Sequence, residues 1–306
     1  ANIYRQYATF MTDWNNSDKL FRVASGANVA DYNWTEVLMR DIPHHMLEGV
    51  ALHHYSFVEW NNKGSSTDFT EEQYFKTMKT AWRMEELVTR HSTIMDKYDP
   101  AKRIALVVDE WGGWYNVEPG TNPGFLYQQN TMRDAMIAGV TLNVFNNHAE
   151  RVRVANLAQT VNVLQSVILT KEEKMILTPT YHVMQMYNVH QDAKLLPLTI
   201  KSNDFVFGNE KLPAVSASAS VDQNGFTHIS LTNIDSRKPQ EITITLYGGK
   251  YKNVSGRILT SAAITDHNTF DNPEKIKPAI FKDAKFQDDD LIVKIPPFSV
   301  VVLELK

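Results

Sequence analysis

The segment IALVVDEWGGWY, residues 104–115, joins five apolar residues to two carboxylates and three aromatic side chains. A continuous apolar run of this length is typical of a strand that is buried on both faces, as in a parallel sheet. Asp109 and Glu110 stand at the end of that strand, where the strands of an α/β barrel carry their chemistry. Acidic residues after a strand also cap helices, but no clear helix begins directly after Glu110. Carboxylates beside tryptophans favour a catalytic pocket that binds sugars.

A histidine and a tyrosine end the preceding predicted strand, residues 49–55. The alternation of side chains along a strand sends His53 and Tyr55 to the same side. There they could hold a carboxylate or a sugar hydroxyl. They could equally be a hydrogen-bonded pair that fills the end of the sheet, and the residues alone leave both interpretations open.

Two further groups of polar residues are weaker candidates. Asn146, Asn147 and His148 follow a predicted strand at residues 139–145, where they could donate hydrogen bonds to a substrate or cap the next helix. Gln159 falls inside that next predicted helix, residues 152–169, where a polar side chain is more often satisfied by packing than functional.

Strands and helices alternate over the first 191 residues, which predicts a parallel sheet. The predicted strands are residues 20–26, 49–55, 104–108 and 139–145, and the predicted helices are 34–42, 70–98, 124–138, 152–169 and 180–189. Four strand–helix units are too few to close an eight-stranded barrel. Either the sheet is a smaller one, or half of a barrel lies outside this sequence.

The pattern changes after about residue 191. Segments that alternate apolar and polar residues are separated by turn signals such as Asp222-Gln223-Asn224-Gly225, which predicts an antiparallel β-sandwich. The predicted strands are residues 214–221, 227–233, 241–247, 291–295 and 300–305. We therefore expect an α/β domain over 1–191 and an all-β domain over 192–306.

The chain opens with an amphipathic helical pattern that has no N-cap residue. Its apolar positions are Ile3, Tyr7, Phe10, Met11 and Trp14. A chain that begins inside a helix gives the expectation that a preceding segment is missing.

Composition excludes several classes of function. The formal net charge of -4 gives no reason to expect nucleic acid or an anionic membrane surface as a partner. The sequence has no cysteine, so it has no disulfide or thiolate metal site, and the compartment stays undecided between cytoplasm and periplasm. The histidines lack the spacing of a zinc site, and neither a phosphate-binding loop nor a nucleophilic serine motif is present. We predict no metal, no cofactor and no membrane span.

Four segments closely resemble the α-L-arabinofuranosidases of glycoside hydrolase family 51. They are ALHHYSF, VVDEWGGWY, LYQQNTMRDAMIAGVTLNVFNNHAERVRVANLAQTVNVLQSVILT and LTPTYHVMQMYNVHQ, and they cover roughly the first 190 residues. The resemblance implies an eight-stranded (β/α)8 TIM barrel followed by a β-sandwich of jelly-roll type. It also implies hydrolysis of terminal α-L-arabinofuranosyl linkages with retention of configuration, on arabinose-containing oligosaccharides or polysaccharides such as arabinan and arabinoxylan.

The resemblance also implies roles for individual residues. The Glu of the family's D-E-W motif is the nucleophile, which matches Glu110. The family's H-x-Y motif contacts the nucleophile and the sugar, and it matches His53 and Tyr55. Trp114 matches the aromatic wall of the sugar subsite. Gln159 matches a glutamine that reaches the substrate, which reverses the interpretation drawn from its residue type alone.

The sequence departs from the family in one respect. The family's general acid/base is the Glu of a G-N-E-x-W motif, which is absent here, since the only Gly-Asn-Glu, residues 208–210, lacks the Trp. The family's motif stands shortly before a segment that resembles ANIYRQYATF, residues 1–10. We therefore expect the second half of a (β/α)8 barrel followed by the sandwich, with the isolated chain nearly inactive.

A half-barrel leaves unpaired strand edges, so we expect self-association or pairing with the missing half. Two other functions stay open. The chain could be a non-catalytic carbohydrate-binding or assembly module, or it could be another retaining barrel glycosidase such as a xylanase or glucanase. The AQTVNV segment, residues 158–163, argues against the second.

Overall fold

The structure is a computed structural model that describes residues 1–15 and 17–306. The chain forms two units, each built from segments that are not contiguous in sequence. The first unit contains residues 1–55, 83–111 and 148–157, and the second contains residues 56–82, 112–147 and 158–306.

The first unit is built on a four-stranded sheet with the order β1-β2-β3-β4. The pairs β1–β2 and β3–β4 are parallel, as the alternation of strands and helices predicted. The strands are β1 (Val23–Asn28), β2 (Gly49–Ser56), β3 (Ala105–Gly113) and β4 (Val152–Leu157), and the helices are α1 (Asn2–Thr9), α2 (Tyr32–Asp41) and the part of α3 (Glu71–Tyr98) that begins at residue 83. Consecutive residues are buried in β2 (Ala51 and Leu52) and in β3 (Leu106 and Val107), so these strands are covered on both faces.

The pairing of β3 with β4 is irregular at the two carboxylates. Val108 lies opposite Ala155 and Trp111 lies opposite Leu157, so three steps along β3 match two steps along β4. One extra residue is therefore accommodated in β3 at Asp109 and Glu110. A bulge of this kind interrupts the strict alternation of side chains and changes their direction.

The predicted fourth strand, residues 139–145, is wrong. These residues lie in helix α4 (Met132–Asn147), in which 13 of 16 residues are buried. A helix buried all round gives an apolar run that periodicity alone cannot distinguish from a buried strand. A side chain at Gly139 would collide with Thr232, so glycine allows the helix to pack closely on a neighbouring strand.

The true fourth strand, β4, lies at the start of the segment that was predicted as helix 152–169. That helix prediction is also wrong, because residues 158–167 contain no regular helix or strand and β5 begins at Ile168.

The second unit contains two antiparallel sheets, as the alternating pattern after residue 191 predicted. One has six strands in the order β14-β13-β17-β11-β10-β7 and the other three in the order β12-β16-β15, with two hairpins, β5-β6 and β8-β9. The strands are β5 (Ile168–Lys171), β6 (Lys174–Leu177), β7 (Lys194–Leu196), β8 (Asp204–Phe207), β9 (Glu210–Pro213), β10 (Val215–Val221), β11 (Thr227–Asn233), β12 (Gln240–Thr245), β13 (Val254–Leu259), β14 (Ala279–Phe281), β15 (Ala284–Gln287), β16 (Asp290–Ile295) and β17 (Ser299–Leu305), and α5 is Pro179–Tyr187. Both sheets contribute buried apolar side chains, among them Leu303 and Leu291, which is the composition of a sandwich core.

Helix α1 ends at Thr9, so it is shorter than the apolar pattern that runs to Trp14. The apolar face of this segment is not covered by the described residues. Ile3, Tyr7, Phe10 and Trp14 are between 68% and 93% exposed. Within residues 1–15 and 17–306, no helix combines the length and the apolarity that crossing a bilayer requires.

Candidate active site

Two side chains from β2 meet the carboxylate of Glu110 on β3. The hydroxyl of Tyr55 donates a hydrogen bond to Oε2 of Glu110 over 3.1 Å. Nδ1 of His53 lies 3.2 Å from the same oxygen. The two β2 residues therefore share one side of the strand, as their spacing predicted. Glu110 keeps 43% of its side chain exposed, so its carboxylate is held by neighbours and is still accessible to a ligand.

Asp109 and Glu110 both lie close to His53, although strict alternation along a strand would send neighbouring side chains to opposite sides. Nε2 of His53 lies 3.1 Å from Oδ1 of Asp109, so one imidazole stands between the two carboxylates. The bulge in β3 is the reason, because its extra residue breaks the alternation that would separate neighbouring side chains. These side chains are between 35% and 44% exposed, so each of the two contacts contributes at most about 1 kcal/mol to stability.

Tyr55 is held in its protonated form. Burial raises the pKa of its hydroxyl well above the ordinary value, and the negative charge of Glu110 raises it further. A phenol with a raised pKa stays protonated at neutral pH and so acts as a hydrogen-bond donor. Tyr55 can therefore orient the carboxylate, and it does not serve as a base.

Trp114 follows β3 and lies in the second unit, where its backbone N–H donates to the carbonyl of Ser56 over 2.9 Å. Its indole packs edge-on against Trp60, with ring centroids 5.8 Å apart. Nζ of Lys63 lies 4.4 Å from the Trp60 ring centroid and 5.0 Å from that of Trp114. Trp60 is 59% exposed, so the pair forms an aromatic surface topped by a cation.

Trp60 and Lys63 were not predicted as functional residues. The available signal was a lone tryptophan in a polar loop directly after the strand that carries His53 and Tyr55. Exposed aromatic residues in such loops are candidates for ligand contact.

A buried arginine, Arg133, contacts the loop after Trp60 and the residue that follows Trp114. The guanidinium of Arg133 is stacked between the rings of Phe69 and Tyr115, at 3.7 Å and 3.6 Å from the ring centroids. Nη2 of Arg133 donates to the carbonyls of Ser65 and Ser66, at 2.9 Å and 3.1 Å. One cation thereby joins the loop after Trp60 to the residue that follows Trp114.

The backbone at the end of β3 is fixed by buried amides. Gln128 accepts a hydrogen bond from the N–H of Tyr115 and donates one to the carbonyl of Gly113, at 2.8 Å and 3.1 Å. Gln165 accepts from the N–H of Gly113 at 2.5 Å. Gly112 has a φ of +144°, which few other residues adopt, and a Cβ there would lie 3.2 Å from the carbonyl oxygen of Ala158.

Gln159 is exposed and lies between β4 and β5, not inside a helix as predicted. It directly follows Ala158, the residue that packs against Gly112. The structure thus brings His53, Tyr55 and Glu110 together in the first unit, whereas Trp114 and Gln159 belong to the second.

The three polar residues at the end of α4 have structural partners. Asn146 donates to Oγ of Ser218 and Asn147 to the carbonyl of Ala217, at 3.0 Å and 2.9 Å. Nε2 of His148 lies 2.7 Å from Oε1 of Glu85. No helix begins near residue 152, so the expectation that they cap one is wrong, and these contacts give no support to a role in substrate binding.

Glu118 is an acidic residue of the loop that follows Trp114. Its carboxylate accepts hydrogen bonds from Oγ of Ser66 and from the N–H of Gln129. It serves as an anchor for the loop. Among the described residues, no group of three histidine and acidic side chains has an arrangement that would hold a metal ion.

Known proteins resemble this chain over its whole length. The family model for the alpha-L-arabinofuranosidase C-terminal domain matches residues 109–299. An intracellular exo-alpha-L-arabinofuranosidase of Bacteroides ovatus is 47% identical over 308 residues, which cover 100% of this chain and 60% of the relative.

Two solved structures resemble it as well. The GH51 arabinofuranosidase of Xanthomonas axonopodis pv. citri has a TM-score of 0.97 and 44% identity, over 100% of this chain and 62% of that one. The Thermotoga maritima alpha-L-arabinofuranosidase shares the fold, with a TM-score of 0.76 and 22% identity over 98% of this chain and 60% of that one. The chain thus spans about 60% of the length of these relatives.

Proposed function

The chain belongs to the alpha-L-arabinofuranosidase C-terminal domain family, and on that premise we propose that it is part of a retaining α-L-arabinofuranosidase with Glu110 as the nucleophile. The observation that carries this proposal is the contact of Oε2 of Glu110 with both Tyr55 and His53 at the ends of two strands. A carboxylate that is oriented on two sides and still 43% exposed has the geometry of a nucleophile awaiting a sugar.

The proposed reaction begins with attack of a Glu110 oxygen on the anomeric carbon of a terminal arabinofuranosyl residue. The glycosidic bond breaks, its electron pair leaves with the departing oxygen, and an arabinosyl ester of Glu110 forms. Water then hydrolyses the ester. Tyr55 and His53 hold the carboxylate in position, since an oriented group avoids the entropic cost of a free one.

Retaining hydrolysis requires a second carboxyl group about 5–5.5 Å from the nucleophile, which protonates the leaving group. Asp109 is beside Glu110 in sequence and shares His53 with it, and Glu118 anchors a loop. Because His53 holds the one and Ser66 and Gln129 hold the other, we assign neither as the general acid. We therefore propose that this 306-residue chain alone hydrolyses natural linkages poorly, because losing general acid catalysis lowers the rate by about 10²–10⁴-fold.

Trp114 is proposed as the aromatic wall of the sugar subsite and Gln159 as a polar contact to the sugar. Trp60, in edge contact with Trp114, would extend that wall. The Bacteroides ovatus relative is named an exo-acting enzyme, and we propose the same terminal arabinofuranosyl substrates, in arabinan or arabinoxylan, for this chain.

The test is to trap the ester. With 2,4-dinitrophenyl α-L-arabinofuranoside the leaving group departs without protonation, so the chain should gain the mass of one anhydropentose unit, and peptide mapping should place it on Glu110. Glu110→Gln should abolish the mass gain, whereas Glu118→Gln should keep it if the protein remains folded. An ester on another residue, or equal labelling of Glu110→Gln, would refute the proposal.

A non-catalytic carbohydrate-binding role is the second candidate, and the exposed Trp60–Trp114 surface favours it. Calorimetric titration with arabino-oligosaccharides, comparing the wild type with Trp114→Ala, separates the two. Binding that requires Trp114 without any labelling of Glu110 supports a binding module. Binding that ignores Trp114 would place the site elsewhere, and labelling of Glu110 supports the enzyme.

We also propose that the first unit associates with a second copy or with a further segment of the enzyme. β1 and β4 are the edge strands of its sheet, and α1 exposes apolar residues. Sedimentation velocity at increasing protein concentration should reveal larger species. A strictly monomeric profile would contradict self-association. The division into domains at residue 191 stays a prediction.

A further inference from the structure

A groove of about 680 Å³ runs along one face of the six-stranded sheet of the second unit. Strand register places its polar lining on a single face, because residues directly opposite each other in a sheet point to the same side. Glu304 of β17 lies opposite both His228 of β11 and Ser255 of β13, and Arg257 lies opposite both Val302 and Ile280. Helix α5 and the residues after it supply the other wall, through Gln185, Met186 and Val189. We call this feature the sandwich groove.

The sandwich groove carries unneutralised positive charge. Arg257 and Lys282 both line it, and neither has an ion pair with any residue in the described part of the chain. The one carboxylate in the lining, Glu304, is paired with Lys306 at 2.9 Å. The open charges of the groove are therefore both cationic, which suits an anionic ligand.

A buried histidine adds a hydrogen-bonding group. His228 is 3% exposed, and its Nε2 lies 3.2 Å from Oδ2 of Asp222. Its Nδ1 has no hydrogen-bond partner among residues 1–15 and 17–306. A buried polar atom without a partner costs about 1–3 kcal/mol of stability. Ser255 is positioned on the same face.

The rest of the lining is apolar, and it includes Met186, Val189, Ile280 and Val302. The volume falls within the range of sites that hold small ligands, about 300–1,000 Å³. A ligand with one anionic group, several hydroxyls and a weakly polar ring face would match each part of this lining.

We propose that the sandwich groove binds a monosaccharide-sized sugar anion, whose carboxylate or phosphate lies against Arg257 and Lys282. A hydroxyl of the sugar would meet Oγ of Ser255, and its ring would lie on Val302 and Ile280. The proposal is independent of Glu110 and of the arabinofuranosidase function, since it rests on a different set of residues in the second unit.

Calorimetric titration of the intact chain with D-galacturonate and with D-galactose 1-phosphate tests the proposal and distinguishes the two anionic groups. At least one should bind, and neutral D-galactose should bind at least about tenfold more weakly, a difference of about 1.4 kcal/mol. Lack of binding by both anions, or equal binding of galactose, would overturn the proposal.

Two matched variants locate the site. Arg257→Gln should weaken anion binding at least about tenfold. Lys285→Gln removes a similar exposed charge from β15 outside the groove and should leave the affinity unchanged. An equal loss in both variants would indicate nonspecific charge attraction and would refute the assignment. One outcome is that the wild type binds galactose 1-phosphate and does not bind galacturonate, and that only Arg257→Gln loses this binding. That outcome would support a sugar phosphate as the ligand.

Discussion

The hydroxyl of Tyr55 donates a hydrogen bond to Oε2 of Glu110 over 3.1 Å, which links the ends of β2 and β3. A hydrogen bond to a carboxylate is of the charge-assisted kind, which is stronger than a hydrogen bond between neutral groups. The pairing gives Glu110 a fixed orientation before any sugar arrives. The proposed nucleophile therefore depends on a neighbour that carries no reacting atom.

Tyr55→Phe removes only that hydroxyl. We expect the rate of ester formation on Glu110 to fall about tenfold or more, because a carboxylate that has lost this donor is less well oriented. The measurement is the rate of mass gain with the dinitrophenyl arabinofuranoside. Tyr247→Phe, at a position that is 93% exposed, is the control and should leave the rate unchanged. A Tyr55→Phe rate equal to that of the wild type would show that the hydrogen bond has no part in the reaction.

Asp109→Asn tests the imidazole that lies between two carboxylates. The contact of Asp109 with His53 is partly exposed, so solvent screens it and its loss should cost no more than about 1 kcal/mol. We therefore expect ester formation to slow by less than about tenfold, whereas Glu110→Gln abolishes it. The same labelling assay measures both. If Asp109→Asn were as inactive as Glu110→Gln, the two carboxylates would have been assigned the wrong roles.

The sequence predicted the strands that carry the site better than the direction of their side chains. The spacing of His53 and Tyr55 predicted that they share one side of β2, and the resemblance to the family predicted their contact with Glu110. The position of Asp109 could not be predicted, because the bulge that redirects it depends on how β3 pairs with β4.

The error at residues 139–145 has a related cause. Buried on all sides, α4 lacks the polar face that would reveal a helix. Strand β4 is the reverse case. Among its six residues only Val152 is buried, so the strand has little of the apolar character that marks a buried strand in a sequence. In both segments the tertiary surroundings decide the conformation, and a single sequence does not contain them.

Arg133→Met should destabilise the second unit by about 3 kcal/mol. The substitution leaves the carbonyls of Ser65 and Ser66 without their donor, at about 1–3 kcal/mol each, while it relieves part of the cost of burying a charge. It also removes the stacking of the cation between Phe69 and Tyr115. Urea unfolding gives the free energy.

Arg83→Met is the matched control, because Arg83 is an exposed arginine on α3 and its loss should change stability by no more than about 0.5 kcal/mol. Arg133→Lys should lie between the two variants, since lysine keeps the charge and loses the planar stack. Equal stability of Arg133→Met and the wild type would contradict the role of this arginine as an anchor.

His190 makes stability depend on pH. Its Nδ1 lies 2.7 Å from Oγ of Ser220 and its Nε2 lies 2.5 Å from Oγ of Ser230. The pKa of the imidazole is lowered to about 4, mainly by burial and to a smaller extent by the neighbouring His228. An unfolded histidine has a pKa of about 6.5, so between these values the unfolded chain binds a proton that the folded chain does not. Stability contributed by this group is therefore complete above about pH 7 and falls as the pH falls towards 4.

The loss between pH 7.5 and pH 5 should amount to about 2 kcal/mol for this group. His190→Gln removes the titrating group and keeps a side chain that can hydrogen-bond to both serines. Between pH 7.5 and pH 5 the free energy of unfolding of this variant should therefore decrease by about 2 kcal/mol less than that of the wild type. Urea unfolding at the two pH values measures the difference. His45→Gln, at an exposed position, is the control and should track the wild type. If His190→Gln lost as much stability as the wild type on acidification, the buried imidazole would not be the group responsible.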